Sequence, residues 1–263
     1  MKQTLIVTLF FILLLGDHSV AQEGNKPLAF KDGEWFELRV HFGIFNTAFA
    51  RFSLTKETFE GKEVFHAKVL GRTTGLFRWF YKVEDDYQSF FDPKSGLPEY
   101  FIRDIYENGY TKNVHVRFNH QDKTARVNDL QNDKVMEVST LADVQDLISV
   151  FYFLRNYLPE REFKMGETFD INMFFDEENY VLQLKYLGRE IVKTPYGRIP
   201  CLKFQPSVKV GRVFKEKNSL TLWITEDKNH LPIRLQAELS IGKIKADLSK
   251  FRNLKHPFNI FVD

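Results

Sequence analysis

The chain has 263 residues, a formal net charge of +2 and one cysteine, Cys201. A near-neutral charge gives no electrostatic footprint for nucleic acid, and a single cysteine excludes an internal disulfide and a cysteine-based zinc site. The outlying number is 27 phenylalanines, enough aromatic area to fill a large core or line an apolar cavity.

Residues 1–21 read as a signal peptide. Lys2 supplies a positive start, Leu5 to Leu15 is apolar apart from Thr8, and Ser19-Val20-Ala21 fits a small-x-small cleavage site. The apolar run is too short to span a bilayer as a helix. No cysteine follows Ala21, so a soluble periplasmic or secreted protein is expected rather than a lipoprotein. Residues 22–263 are then one β-rich domain.

Period-2 alternation dominates that domain. Phe36, Leu38, Val40 and Phe42 share a face in EWFELRVHF, as do Val114, Val116 and Phe118 in NVHVRF, and Phe169, Ile171, Met173 and Phe175 in TFDINMFF. One dry face per strand and hairpin-length connections such as DPKSG predict an antiparallel curved sheet, a half-open barrel or a sandwich. RTTGLFRWFYK, Arg72 to Lys82, has two readings. As a loop tip, Leu76, Phe77, Trp79, Phe80 and Tyr81 among Arg72, Arg78 and Lys82 form an aromatic patch flanked by positive charge, suited to a lipid interface. As a strand, Phe77, Trp79 and Tyr81 line one of two covered faces.

One segment breaks the alternation. Val144, Leu147, Ile148, Phe151, Leu154 and Leu158 recur at helical spacing, with Thr140 and Asp143 resembling a capping box and Pro159 a stop. This predicts one helix over about 141–158. Asp146, Ser149, Tyr152 and Arg155 form a polar stripe along it. The stripe offers either hydrogen bonds to a ligand headgroup or partner, or bonds to strand ends that hold the helix in place.

The chain also repeats itself. Gly33-Glu34 and Gly166-Glu167 each open a β stretch, Gly61-Lys62 answers Gly197-Arg198, and FFDPKSGLPEYF answers LWITEDKNHLPIRL. The order predicts two related β halves, about 30–135 and 165–250, joined by the helix and completing one sheet.

No constellation carries chemistry. There is no HExxH, no G-x-S-x-G, no phosphate-cradling glycine loop and no calcium-loop spacing in Asp176 to Glu178. No catalytic residue, metal or cofactor is expected.

GEWFELRVHFGIFNTAFARFSL, DLISVFYFLR and LTLWITEDKNHLPIRLQAELSIGKIKADL resemble the bacterial cell-envelope family of domain of unknown function 3108 over nearly the whole mature chain. LWITEDKNHLPIRL is also similar to the closing hairpins of periplasmic lipoprotein carriers, half-open β-barrels with an apolar cavity. These resemblances imply a compartment and a fold and assign no activity. The expectation is a non-catalytic periplasmic protein that binds a lipid or other hydrophobic ligand in a β-lined cavity. The alternative is an assembly protein that docks on a cell-envelope partner, with an outer-membrane barrel or a hydrolase behind both. The helix stripe and the segment around Arg72, Phe77, Arg78 and Trp79 are the candidate contact residues. Nothing in the sequence sets the oligomeric state.

Overall fold

The computed structural model describes residues 28–158, 162–208, 220–239 and 242–260. The expected signal peptide lies outside them. Fourteen strands form one antiparallel sheet. In the first half these are β1 (Trp35–Phe42), β2 (Phe45–Phe59), β3 (Lys62–Thr73), β4 (Val83–Phe91), β5 (Pro98–Glu107), β6 (Tyr110–Asn119), β7 (Thr124–Asp129) and β8 (Lys134–Ser139). In the second they are β9 (Thr168–Phe175), β10 (Glu178–Thr194), β11 (Gly197–Val208), β12 (Leu220–Thr225), β13 (Pro232–Leu239) and β14 (Gly242–Arg252). A short helix α1 (Phe77–Phe80) joins β3 to β4, and α2 (Ser149–Tyr157) lies between the halves.

Each half is a meander in which successive strands are neighbours, and β14 pairs with β1, so the two meanders make one continuous sheet. The sheet curves without closing into a barrel: β8 and β9 are its ends and do not pair with each other. Asn179, near the start of β10, instead donates to the Ser139 carbonyl at 2.8 Å and accepts from the Leu141 amide at 3.0 Å.

The repeated sequence signals build the same local structures. The Gly33 amide bonds the Leu54 carbonyl and the Leu54 amide bonds the Glu34 carbonyl, both at 2.9 Å. Gly166, Glu167 and Tyr186 make the corresponding pair at 2.9 and 2.8 Å. Both glycines have positive φ, +75° and +84°, the region that a β-carbon disfavours. In the two similar hairpins the register slips just before the residue opposite the proline: Phe91 faces Pro98, and Ile224 faces Pro232. A proline that opens a strand beside a bulge removes no ladder bond from the sheet interior.

The interior holds two apolar clusters. Phe36, Leu38, Phe52, Phe65, Phe91, Phe101, Val114, Val116 and Phe118 belong to the first. Phe169, Ile171, Met173, Leu184, Leu202, Phe204 and Leu222 belong to the second. Helix α2 and its flanking residues serve both, with Ile148, just before it, and Tyr152 in the first, and Val150, Leu154 and Leu158, just after it, in the second.

The helix is shorter than the 141–158 read from periodicity. Asp143 has φ +50°, and the Thr140 amide bonds the Lys123 carbonyl, so no capping box forms. Gln145 bridges to β9 instead: its amide bonds Asn172 at 2.8 Å and its carbonyl accepts from Phe174 at 2.9 Å. Val144 and Ile148 share the helical period because both are buried in the first cluster, although Val144 flanks the Gln145 bridge and Leu147 and Ile148 form the turn that leads into the helix. Asp146 begins the helix, accepting from the amides of Ile148 and Ser149, both at 2.7 Å.

Candidate functional site

The polar stripe of α2 faces inward. Asp146, Ser149, Tyr152 and Arg155 are all buried. Asp146 accepts a hydrogen bond from Ser89 of β4 at 2.6 Å. Burial pushes its carboxyl up to about 6, despite the donors of Ser89, Ser149 and Ile148. Tyr152 packs between Phe30 and Phe91, with ring centroids 5.1 and 5.4 Å away. Arg155 grips both carboxylate oxygens of Glu34 at 2.5 and 3.1 Å and donates to the Asn229 carbonyl at 2.9 Å. With a fourth bond to the Ala29 carbonyl at 3.4 Å, the guanidinium is held by partners from within the chain. The four candidate residues thus come together, tying β4, the entry to β1 and the β12–β13 turn to one helix.

That turn is itself cross-braced. Asp227 accepts from the Thr225 hydroxyl at 2.7 Å and the Asn229 amide at 2.9 Å. Asn229 reaches the carbonyls of His256 and Pro257, both at 3.1 Å. His230 is buried, and desolvation pushes its imidazole down to about 4. Among the described residues, no group of three or more His, Cys, Asp or Glu is placed to hold a metal ion. Burial pushes the Cys201 thiol up to about 12, far from a reactive thiolate.

Little space is left where β5, β6 and β7 meet the end of β9. A gap lined by Phe101, Val114, Val116, Val127, Phe174 and Phe175 measures about 10 Å³, room for one water at most. Its mouth is closed by charge. Asp176, on the β9–β10 turn, accepts from Arg103 at 2.5 Å and Lys112 at 2.7 Å. The acidic tip read from Asp176 to Glu178 is therefore a clasp between the halves. Two shallow outward depressions of about 520 and 510 Å³ are lined mainly by polar and charged side chains.

The other candidates lie elsewhere. Arg72 is at the end of β3, and Phe77, Arg78 and Trp79 follow in the connection to β4. The segment is a tip carrying α1, none of whose residues is buried. Gly75, at φ +57°, turns the chain there. Trp79 is 88% exposed, Phe80 80% and Leu76 79%. The neighbouring β1–β2 turn adds Ile44, 90% exposed, and Phe45. Ile44 and Phe45 were not among the candidates read from the sequence. The signal was Gly43, whose φ of +59° marks the turn.

The profile of DUF3108, protein of unknown function, matches residues 37–249. The chain belongs to the DUF3108 family. This match spans β1 through most of β14, so both halves lie within one family unit. No curated protein matches this DUF3108 chain. A crystal structure of a β-barrel-like protein of domain of unknown function DUF1849 from Brucella abortus is similar, with TM-score 0.57 and 8% identity. The match covers 84% of this chain and 98% of that one, a likeness of fold. A DUF1089 family protein from Pseudomonas aeruginosa aligns at TM-score 0.37 and 11% identity, covering 73% and 91% of the two chains.

Proposed function

We propose that this DUF3108 protein is an exported, non-catalytic protein of the cell envelope that acts by docking through one end of its sheet. The observation that carries the reading is a contrast. The helix stripe and the seam between the halves are occupied by the chain's own side chains, whereas Ile44, Leu76, Trp79 and Phe80 project without cover. Exposed apolar groups gathered on adjacent turns mark contact surfaces in soluble proteins. An apolar ligand held in the gap beside Phe174 would have to displace that ring and part the Asp176 clasp, because about 10 Å³ cannot hold a lipid chain.

Site-specific photocrosslinking in intact cells tests the reading. A crosslinker in place of Trp79 should capture an envelope component, protein or lipid, while one in place of Ser95 should not. Ser95 lies in the β4–β5 turn, at the opposite end of the same strands. No adduct from position 79, or equal adducts from both, would remove the proposal.

A further inference from the structure

The odd-numbered connections of the first half all lie at one end of the sheet, because neighbouring strands there are antiparallel. Backbone and side-chain bonds knit them sideways. Thr74 donates to Thr47 at 2.9 Å, Asn108 to Lys82 at 2.7 Å and Gln131 to Thr111 at 2.8 Å. Each connection carries exposed apolar side chains: Ile44 and Phe45, then Leu76 to Tyr81, then Tyr110, then Leu130. The opposite end has the hairpin turns Glu60-Gly61, Asp92 to Gly96 and His120 to Lys123, which carry no exposed large apolar residue, while Leu141, beyond the end of β8, is 38% exposed there. This half is therefore amphipathic along its strands.

Resting on the docking reading, we infer that the occupant of this end is an anionic phospholipid surface. Three features select a lipid surface over a protein groove. The apolar groups stand on separate protruding turns, so they present a row of tips instead of a pocket or ridge. They include Trp79 and Tyr81, whose rings partition to the headgroup level of a bilayer, with the apolar Phe80 between them on one tip. Cations lie directly behind them: Arg78 and Lys82 share Glu84 at 2.6 and 2.7 Å, and Arg72 adds a third exposed positive charge. The tip itself, residues 74–82, carries Arg78 and Lys82 and no acid, with Glu84, Asp85 and Asp86 set back along β4, so its outermost charges complement anionic headgroups. Aromatic insertion plus a short cationic collar is the composition of an interfacial anchor.

Trp79 makes the test direct. Trp223 is buried and Trp35 half-buried, so a change in emission on binding reports chiefly on residue 79. The full chain, produced with its own leader and purified after export, is floated with vesicles of phosphatidylethanolamine and phosphatidylglycerol. Co-flotation, a blue shift and quenching by brominated phosphatidylglycerol are expected. Ile44→Ser/Trp79→Ser/Phe80→Ser should lower partitioning roughly tenfold or more, with an unchanged far-ultraviolet spectrum. Trp79→Phe should still float while losing the shift. No flotation, equal flotation of the triple variant, or equal binding to neutral phosphatidylcholine vesicles would overturn the inference. If vesicles fail but position 79 crosslinks one envelope protein in cells, the lipid assignment falls and the docking reading stands.

Discussion

Arg155 of α2 and Glu34 at the entry to β1 form an ion pair enclosed by the two halves, with the guanidinium also capping the Asn229 carbonyl. Both side chains are almost wholly removed from solvent. Taking one partner away strands a buried charge, a change that costs about 3–5 kcal/mol. Arg155→Met should therefore lower the free energy of urea unfolding by that amount. The double variant Glu34→Leu/Arg155→Met should recover most of it. Recovery is incomplete because the Asn229 carbonyl loses its donor. A single variant within about 1 kcal/mol of wild type would mean that the pair is solvated.

Asp146 gives stability a pH dependence of unusual sign. Its folded pKa of about 6 lies above the ordinary aspartate value of 3.8. Between these values the folded state binds more protons than the unfolded state, so this group's contribution falls as pH rises through the window. Asp146→Asn keeps an acceptor for the Ile148 and Ser149 amides and removes the titration. The difference in unfolding free energy between wild type and Asp146→Asn should move in favour of the variant from pH 4 to pH 7. A difference that does not vary with pH contradicts the placement of this carboxyl.

His230 acts in the opposite direction. Its pKa falls from 6.5 to about 4 on folding, mainly through desolvation. The unfolded chain takes up a proton below 6.5 that the folded chain refuses until about 4, so stability drops on acidification through that range. Its backbone has φ +44°, which asparagine tolerates well. His230→Asn should lose less stability than wild type between pH 7 and pH 5, measured by thermal unfolding at both values.

The two Gly-Glu turns are matched but not equally tolerant. A β-carbon at Gly33 would sit 2.9 Å from Asn253 Nδ2, whereas the space at Gly166 is open. Both substitutions to alanine pay for positive φ, about 1–2 kcal/mol. Gly33→Ala must also displace Asn253 from its 3.0 Å bond to the Asp32 carbonyl. Its melting temperature should fall further than that of Gly166→Ala.

Much of the architecture was legible before the structure. Alternation placed the strands because each keeps one dry face, and the doubled Gly-Glu and Leu-Pro signals marked turns that need positive φ or a strand-opening proline. The helix was legible in position but not in length, since Val144, Leu147 and Ile148 satisfy a helical period while lying outside it. The roles of Asp146 and Arg155 were not legible, because their partners Ser89, Glu34 and Asn229 are distant in sequence and only the curvature of the sheet brings them close. The segment around Trp79 allowed two readings for a related reason. Alternating aromatics suit a covered strand equally well, and no local signal says whether a neighbouring layer exists to cover them.

The central claim is that the interior is structural and the outer end is where the protein acts. Organic extraction and mass spectrometry of the purified Ile44→Ser/Trp79→Ser/Phe80→Ser variant test it most directly, because lipid held at the tip is then lost and only enclosed lipid remains. The account predicts no apolar molecule in stoichiometric amount. One lipid or other hydrophobic ligand retained per chain would contradict it.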